Sequence, residues 1–430
     1  MEIKTTAISA NRLTARENVQ FLQEGDIIVP DNKPDIEKIL RTSGNVVIDS
    51  TNIADGRLNY RGHIALDCLY LSKGENKKLH TMSKDIEIND FIAISGIEEN
   101  MSPKLKCTIE NIDTGILNER KINYKISGNA FADVNEVVEI NAVSSIDDLS
   151  ENQQKMTTIK TTKNICSKIE KINIKEDVVI PPTKLPIDEI ISIEPTLLNT
   201  EAVPSQDSVK ISGDITASML YTSNESSVPE VFDIDIPFDG MIETEDVEPN
   251  MEINTDLTIT DFYYDVSEDE NGENRIVNLE FVINACIEAY ATQESEILED
   301  AYSVNNNITM ENETLCYDRE VCRNKSQCPV KDIVSIDSDC PAMLQIIKAV
   351  GTPYIDVISI FDNKVVIDGV INVSILYVTG DDTMPVYCAN GAVPFSQTVE
   401  ARGQKKVWRL MWIVCYLTLV LIWFLTGKLK

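Results

Sequence analysis

The chain has 430 residues, and its 70 acidic and 38 basic side chains give a net charge of −32. That length allows two to four domains. The acidity argues against nucleic acid as a partner, because phosphate binding needs clustered lysine and arginine. It steers the protein toward basic partners instead.

The first residues, Met1 to Thr5, contain no apolar run, so we predict no secretory signal and a cytosolic start. Four of the ten cysteines stand alone in apolar patterns and are predicted to be small buried hydrophobes: Cys68, Cys107, Cys166 and Cys286. Another group is spaced more widely than most zinc ligands and lies far from both histidines: Cys316, Cys322, Cys328 and Cys340. We therefore expect free thiols there rather than a metal site.

Three stretches of the chain share one pattern at a fixed register. Each closes with a tyrosine, at Tyr70, Tyr221 and Tyr377. A glycine stands eight residues before each tyrosine, at Gly62, Gly213 and Gly369. The pattern opens 37 residues before each tyrosine, at Lys33, Lys184 and Cys340. The chain is therefore predicted to be a tandem array of one module.

Each copy opens with a predicted short helix. A capping residue is followed by a proline, and apolar residues then recur at i, i+3 and i+4. The apolar sets are Ile36, Ile39 and Leu40; Ile187, Ile190 and Ile191; and Met343, Ile346 and Ile347. We expect this helix to cover its own sheet, with docking to a partner as the less favoured alternative.

A hairpin follows the helix in each copy. Its predicted turns are Asp55-Gly56, Gln206-Asp207 and Asp362-Asn363, because Asp, Asn and Gly tolerate the positive φ of two-residue turns. The second strand of the hairpin alternates with period two over seven positions that end at the tyrosine. We expect these positions to be core, with the glycine marking a bend, a bulge or a close backbone approach.

The remaining segments also alternate, so each module is predicted to be a β-sandwich or barrel of about seven strands plus the helix. The acidic segment 267–273 lacks the ligand spacing of a calcium loop and is predicted to be a hairpin tip. Polar segments at 147–162 and 294–312 are predicted linkers. The domains are module 1 over 1–150, module 2 over 163–293, a truncated module 3 over 313–406, and a tail over 407–430.

The segment 29–40, Val-Pro-Asp-Asn-Lys-Pro-Asp-Ile-Glu-Lys-Ile-Leu, and the hairpin ending at Leu69-Tyr70 resemble the SPOCS domain of spore coat and cortex morphogenetic proteins. The other copies are similar, although Lys184-Leu185-Pro186 and Cys340-Pro341 depart from the Lys-Pro-Asp order. The resemblance implies no catalytic activity. In the best-known architecture SPOCS modules precede a LysM domain, which we do not find here.

The tail begins with an abrupt change of composition at Val407. Residues 410–426 are uncharged and mostly apolar, and basic residues flank them. One interpretation is a C-terminal hydrophobic helix that anchors the array to a membrane, although 17 residues is near the lower limit for a span. The other is a frameshift product. One frame over, permitted codons can encode a strand, an Asn-Gly turn and a second strand, which the third copy lacks.

These features predict a non-enzymatic scaffold or adaptor in spore-envelope assembly, with other spore-envelope proteins as partners. Its expected location is the mother-cell cytoplasm at the forespore surface, with membrane contact through 410–426 under the anchor interpretation. The alternative is a tail-anchored acidic β-domain binding protein of unrelated purpose. We predict no catalytic, cofactor-binding or metal-binding residue.

Overall fold

The computed structural model describes residues 2–74, 77–147, 153–304, 308–311, 317, 324, 326–336, 339–381 and 384–402. Within these residues the chain forms fifteen strands in five three-stranded antiparallel sheets. The prediction of a mostly β protein is confirmed.

The strands repeat in the same order in successive copies. Copy one contains β1 (Ile3–Ile28), β2 (Ile36–Ala54), β3 (Arg57–Ser72), β4 (Leu79–Ala93), β5 (Ser102–Asn118) and β6 (Lys121–Ile146). Copy two contains β7 (Gln154–Val179), β8 (Glu189–Ser205), β9 (Ser208–Ser223), β10 (Ser226–Glu243), β11 (Glu252–Glu268) and β12 (Asn274–Ala301). Copy three contains β13 (Met343–Phe361), β14 (Lys364–Thr379) and β15 (Val386–Glu400).

Every copy has a hairpin sheet, which we define as β2-β3-β4, β8-β9-β10 or β13-β14-β15. Copies one and two each add a flanking sheet, ordered β1-β6-β5 and β7-β12-β11. The two sheets of a copy share one apolar core, to which β3 contributes Ile64 and Leu66 and β6 contributes Ile122 and Ile126. Each complete copy is thus two packed three-stranded sheets, with six strands rather than about seven.

The predicted hairpins are confirmed. The turns fall at the expected residues, where Asp55, Gly56, Asp207 and Asn363 have positive φ. The middle strands β3, β9 and β14 each span 16 residues and end two residues after the tyrosine. All three tyrosines are fully buried.

The glycine of each middle strand marks a bulge and a close backbone approach, as predicted. The facing strand shifts register beside Gly62, Gly213 and Gly369. A Cβ atom added at Gly62 would lie 2.1 Å from the carbonyl oxygen of Val47, and one at Gly369 would lie 2.2 Å from that of Tyr354. No side chain fits such a gap, so these positions require glycine.

The predicted short helices are wrong: the apolar residues that suggested them lead into or lie in the first strand of each hairpin sheet. The i, i+3, i+4 spacing arises from β-bulges, which insert one extra residue and change the phase of the alternation. Register shifts occur at Ile39/Arg41, Ile190/Ser192 and Ile346/Lys348, which are equivalent positions in the three copies. The expected inward packing is nevertheless found at Ile190, which is 8% exposed in the core of copy two.

The segments predicted to be linkers are partly strand, because β7 begins at Gln154 and β12 continues to Ala301. The segment 269–273 is a hairpin tip, in which Asp269 accepts backbone hydrogen bonds from Asn271 and Glu273. The tail 407–430 lies outside the described residues, so its predicted hydrophobic helix has no support here. Among the residues that are described, no helix has the length and apolarity needed to cross a bilayer.

Candidate functional site at the junction of the three copies

Each closing tyrosine fixes the segment that opens its own copy. The hydroxyl of Tyr70 donates to the carbonyl of Pro34, that of Tyr221 to Leu185, and that of Tyr377 to Pro341. All three distances are 3.0 Å, and the acceptor always stands 36 residues before the tyrosine. The repeated spacing in the sequence therefore corresponds to a hydrogen bond that recurs in each copy.

An arginine at the end of the flanking sheet holds the same opening segment in copies one and two: Arg120 lies in the turn between β5 and β6, and Arg275 lies at the start of β12. Arg120 donates to the carbonyls of Val29, Pro30 and Lys33 at 2.9–3.0 Å. Arg275 donates to the carbonyls of Pro181 and Lys184 at 3.3 and 2.8 Å. These bonds join the flanking sheet to the start of the hairpin sheet.

The three hairpin sheets contact one another in a closed cycle. The third strand of each sheet lies against the first strand of the next: β4 against β8, β10 against β13, and β15 against β2. Head-to-tail contacts of this kind form a ring when the rotation between units closes. The three copies thus form a closed ring within one chain.

Equivalent apolar residues meet where the three sheets converge. We call them the axial cluster: Leu40, Ile191, Ile347, Leu69, Leu220 and Leu376. The first three are the extra residues of the β-bulges, which lie between the paired positions of the hairpin sheets. The bulge residues, whose spacing in the sequence predicts a helix, therefore supply the apolar contact between copies.

Polar contacts reinforce the ring at equivalent positions. Glu189 of copy two is 3.0 Å from Lys33 Nζ and 3.4 Å from His80 Nδ1 of copy one. At the corresponding place between copies three and one, Lys38 Nζ is 4.1 Å from the ring centroid of Tyr387. Burial is the largest influence on His80 and lowers its pKa below 6.5, although Glu189 opposes this effect.

One carboxylate joins all three copies. Glu194 of copy two is 2.8 Å from Arg41 Nη1 of copy one and 3.1 Å from Lys348 Nζ of copy three. Burial alone would raise the pKa of Glu194, but Lys348 and Arg41 outweigh it and hold the pKa below 4.5. Burial lowers the pKa of Lys348, whose side chain is 8% exposed and also donates to the carbonyl of Ser218.

A cleft of about 220 Å³ opens beside this carboxylate and is lined by all three copies. Its walls contain the three leucines of the axial cluster, Leu69, Leu220 and Leu376. They also contain Arg41, Asp67, Glu194 and Lys348, together with the aromatic rings of Phe262 and Tyr264. It is the best candidate for a functional site, because it joins apolar surface to a few converging charges.

This cleft could not be predicted from the sequence, because its residues are separated by about 150 positions and none belongs to a catalytic motif. The bulge pattern is the available signal in the sequence, but its i, i+3, i+4 spacing predicts a helix equally well. Of the cysteines considered for a metal, Cys316 and Cys322 lie outside the described residues, and Cys328 and Cys340 are free and half-buried. The described residues contain no group of three or more potential metal ligands.

The fold and the junction define a tandem-repeat β protein whose copies close into a ring. A family model described as "SipL, SPOCS domain" matches residues 35–117, 186–267 and 342–412, which together cover more than half of the chain. The chain belongs to this family, and the family indicates a role related to sporulation. No curated protein and no solved structure matches the chain.

Proposed function

We propose that the protein is a non-enzymatic scaffold or adaptor that assembles the spore envelope. The observation that carries this proposal is the closed ring of three SPOCS copies. A ring presents several β surfaces in a fixed geometry, which suits a protein that organises partners. Its partners would be other spore-envelope proteins rather than nucleic acid, in keeping with a net charge of −32.

The charges of the cleft favour a structural role over catalysis. Glu194 is engaged by Arg41 and Lys348 together, and both cations serve to join copies. A general acid or base needs a proton that it can exchange near neutral pH. Two cations instead keep Glu194 ionised, so its position suits a fixed link.

The test is the timing and place of expression in a sporulating host that carries the gene. We expect a fluorescent fusion to appear during sporulation and to surround the forespore from the mother-cell side. A deletion should give spores with a misassembled coat or cortex, visible by thin-section electron microscopy. Constitutive expression with normal spores would reject the proposal.

The apolar run at 410–426 favours a second candidate, a membrane-anchored acidic binding protein of unrelated purpose. Resequencing the gene beyond codon 395 separates a genuine anchor from a frameshift. Recovery of the full chain in the membrane fraction, with the apolar run confirmed in frame, would favour this candidate if expression is also independent of sporulation.

A further inference from the structure

The cleft at the junction carries a carboxylate that the ring itself does not use. Asp67 lines the cleft and is exposed to solvent. We propose that the cleft binds a lysine or arginine side chain from an extended basic segment of a partner protein, with Asp67 as the principal acceptor. The inference rests on the proposed adaptor role and gives its partner a chemical identity.

The cations in the wall of the cleft are already paired, whereas Asp67 is not. Arg41 donates from Nη1 and Nη2 to the two oxygens of Glu194 at 2.8 and 3.4 Å. Lys348 pairs with the same Glu194. Asp67 accepts a hydrogen bond from Ser83 Oγ at 2.5 Å, and in the described part of the chain no lysine or arginine forms an ion pair with it.

The surroundings of Asp67 favour an incoming positive charge. Crowding by the surrounding protein raises the pKa of Asp67, and the bond from Ser83 lowers it. Glu194 and Asp85 each raise the pKa by more than Arg41 lowers it. The neighbouring charges thus make the potential at this carboxylate negative, and a bound cation would relieve the repulsion.

Other groups in the wall suit the same ligand. The aromatic rings of Phe262 and Tyr264 line the cleft, and a cation can bind to the face of such a ring. Thr81 Oγ1 is buried and has no hydrogen-bond partner among the described residues, so it can accept from an ammonium or guanidinium group. Carboxylate, ring face and hydroxyl oxygen all favour a cation.

The repeat marks Asp67 as specific to one copy. Ser218 and Ser374 occupy the equivalent positions in copies two and three. The ring therefore holds a single carboxylate of this kind beside its axis, and one basic side chain would saturate the site.

The size of the cleft and the charge of the protein indicate how the partner presents its cation. A volume of about 220 Å³ holds a side chain but no folded domain. The cleft is open to solvent, so an extended backbone can cross its mouth while one side chain enters. A net charge of −32 would steer such a basic segment toward the protein.

The experiment measures binding of a fluorescein-labelled hexapeptide of alternating serine and lysine to the purified full chain by fluorescence anisotropy. A hexapeptide of alternating serine and glutamate is the control for the charge of the peptide. Asp67→Asn removes the proposed acceptor, and we expect affinity to fall about fivefold, as for an ion pair with a carboxylate that solvent still reaches. Asp49→Asn is the matched control, because it makes the same change at an exposed site of the same sheet that does not line the cleft.

A second variant tests the cleft rather than the charge. Ser374→Phe fills the cleft from copy three without changing the net charge, and it should also weaken lysine-peptide binding about tenfold if the cleft is the site. Unchanged circular dichroism would establish that both variants fold. Equal losses for Asp67→Asn and Asp49→Asn, or full binding by Ser374→Phe, would overturn the inference.

These measurements use isolated protein, so they can fail independently of the expression and localisation tests. Absence of lysine-peptide binding, together with normal recruitment to the forespore, would remove the basic-segment inference and leave the adaptor role in place. Specific binding without any sporulation phenotype would retain the cleft and reject the adaptor role.

Discussion

Copies two and three have the same hairpin sheet but different surroundings. In copy two the inward residues Ile215 and Met219 are fully buried beneath the flanking sheet β7-β12-β11. The equivalent Ile371 and Ile375 of copy three are 5% and 7% exposed. In the described part of copy three, Val334 and Ile336 pack there, and no flanking sheet is formed.

Contacts between copies differ in the same way. Copies one and two also meet through their flanking sheets, where Lys104 Nζ lies 2.5 Å from the buried Glu288. In the described residues copy three contacts the others mainly through its hairpin sheet, with Lys348 and Lys38 at its two interfaces. Tyr317, outside that sheet, adds a hydrogen bond from its hydroxyl to the carbonyl of Lys160 in copy two. The hairpin sheets thus supply the contacts that close the ring, whereas the flanking sheet completes the core of a copy.

The largest expected effect concerns core packing, which is tested by the same isoleucine-to-alanine change in copies two and three. Ile215→Ala should cost about 4 kcal/mol and Ile371→Ala about 2 kcal/mol, because a cavity costs more where the surroundings cannot relax. Hydrogen exchange of β9 and β14 measures each local loss. Equal losses in both copies would show that copy three has a core as complete as that of copy two.

The second prediction concerns the arginine of the flanking sheet. Arg275→Met should destabilise copy two by about 2 kcal/mol, because charged hydrogen bonds to the carbonyls of Pro181 and Lys184 are lost. Arg120→Met should cost copy one a similar amount. Hydrogen exchange of β14 should stay unchanged in both variants. Faster exchange in β14 would mean that the copies unfold as one unit.

The third prediction concerns the tyrosine hydrogen bond that all three copies share. Tyr70→Phe, Tyr221→Phe and Tyr377→Phe each remove the donor to one partly buried carbonyl and should cost about 1 kcal/mol. Local exchange in the opening segment of each copy measures the loss. A much smaller cost in copy three would show that its opening segment is fixed less firmly.

The smallest effect concerns pH at the interface of copies one and two. His80 faces Glu189, Lys33 and Lys78, and its folded pKa lies below 6.5 chiefly because of burial. As the pH falls, His80 is therefore protonated in the unfolded chain at a higher pH than in the folded chain. Stability should be complete above about pH 6.5 and should decline as the pH falls from there through the folded pKa.

His80→Gln should flatten this decline, measured as the midpoint of urea unfolding between pH 7.5 and 5.5. His63→Gln is the matched control, because it removes the other histidine and lies outside the interface contacts of Glu189. An unchanged slope in His80→Gln would place the responsible group elsewhere.

The sequence was sufficient for the repeat and the hairpins, because period-two alternation and turn residues are local signals. Gly62 and Tyr70 could be assigned to equivalent places from spacing alone. The bulge at Leu40 could not, since a bulged strand and a short helix both give i, i+3, i+4 spacing. The cleft could not either, because Arg41, Glu194 and Lys348 meet only when three distant hairpin sheets pack together.

The ring is tested most directly by distances between equivalent sites. Spin labels placed in pairs at Arg57, Ser208 and Lys364, which follow the three hairpin turns, can be measured by pulsed electron paramagnetic resonance. A closed ring predicts that the distance between copies one and three resembles the distances between adjacent copies. A markedly longer distance between copies one and three would show that the three copies form an open array rather than a ring.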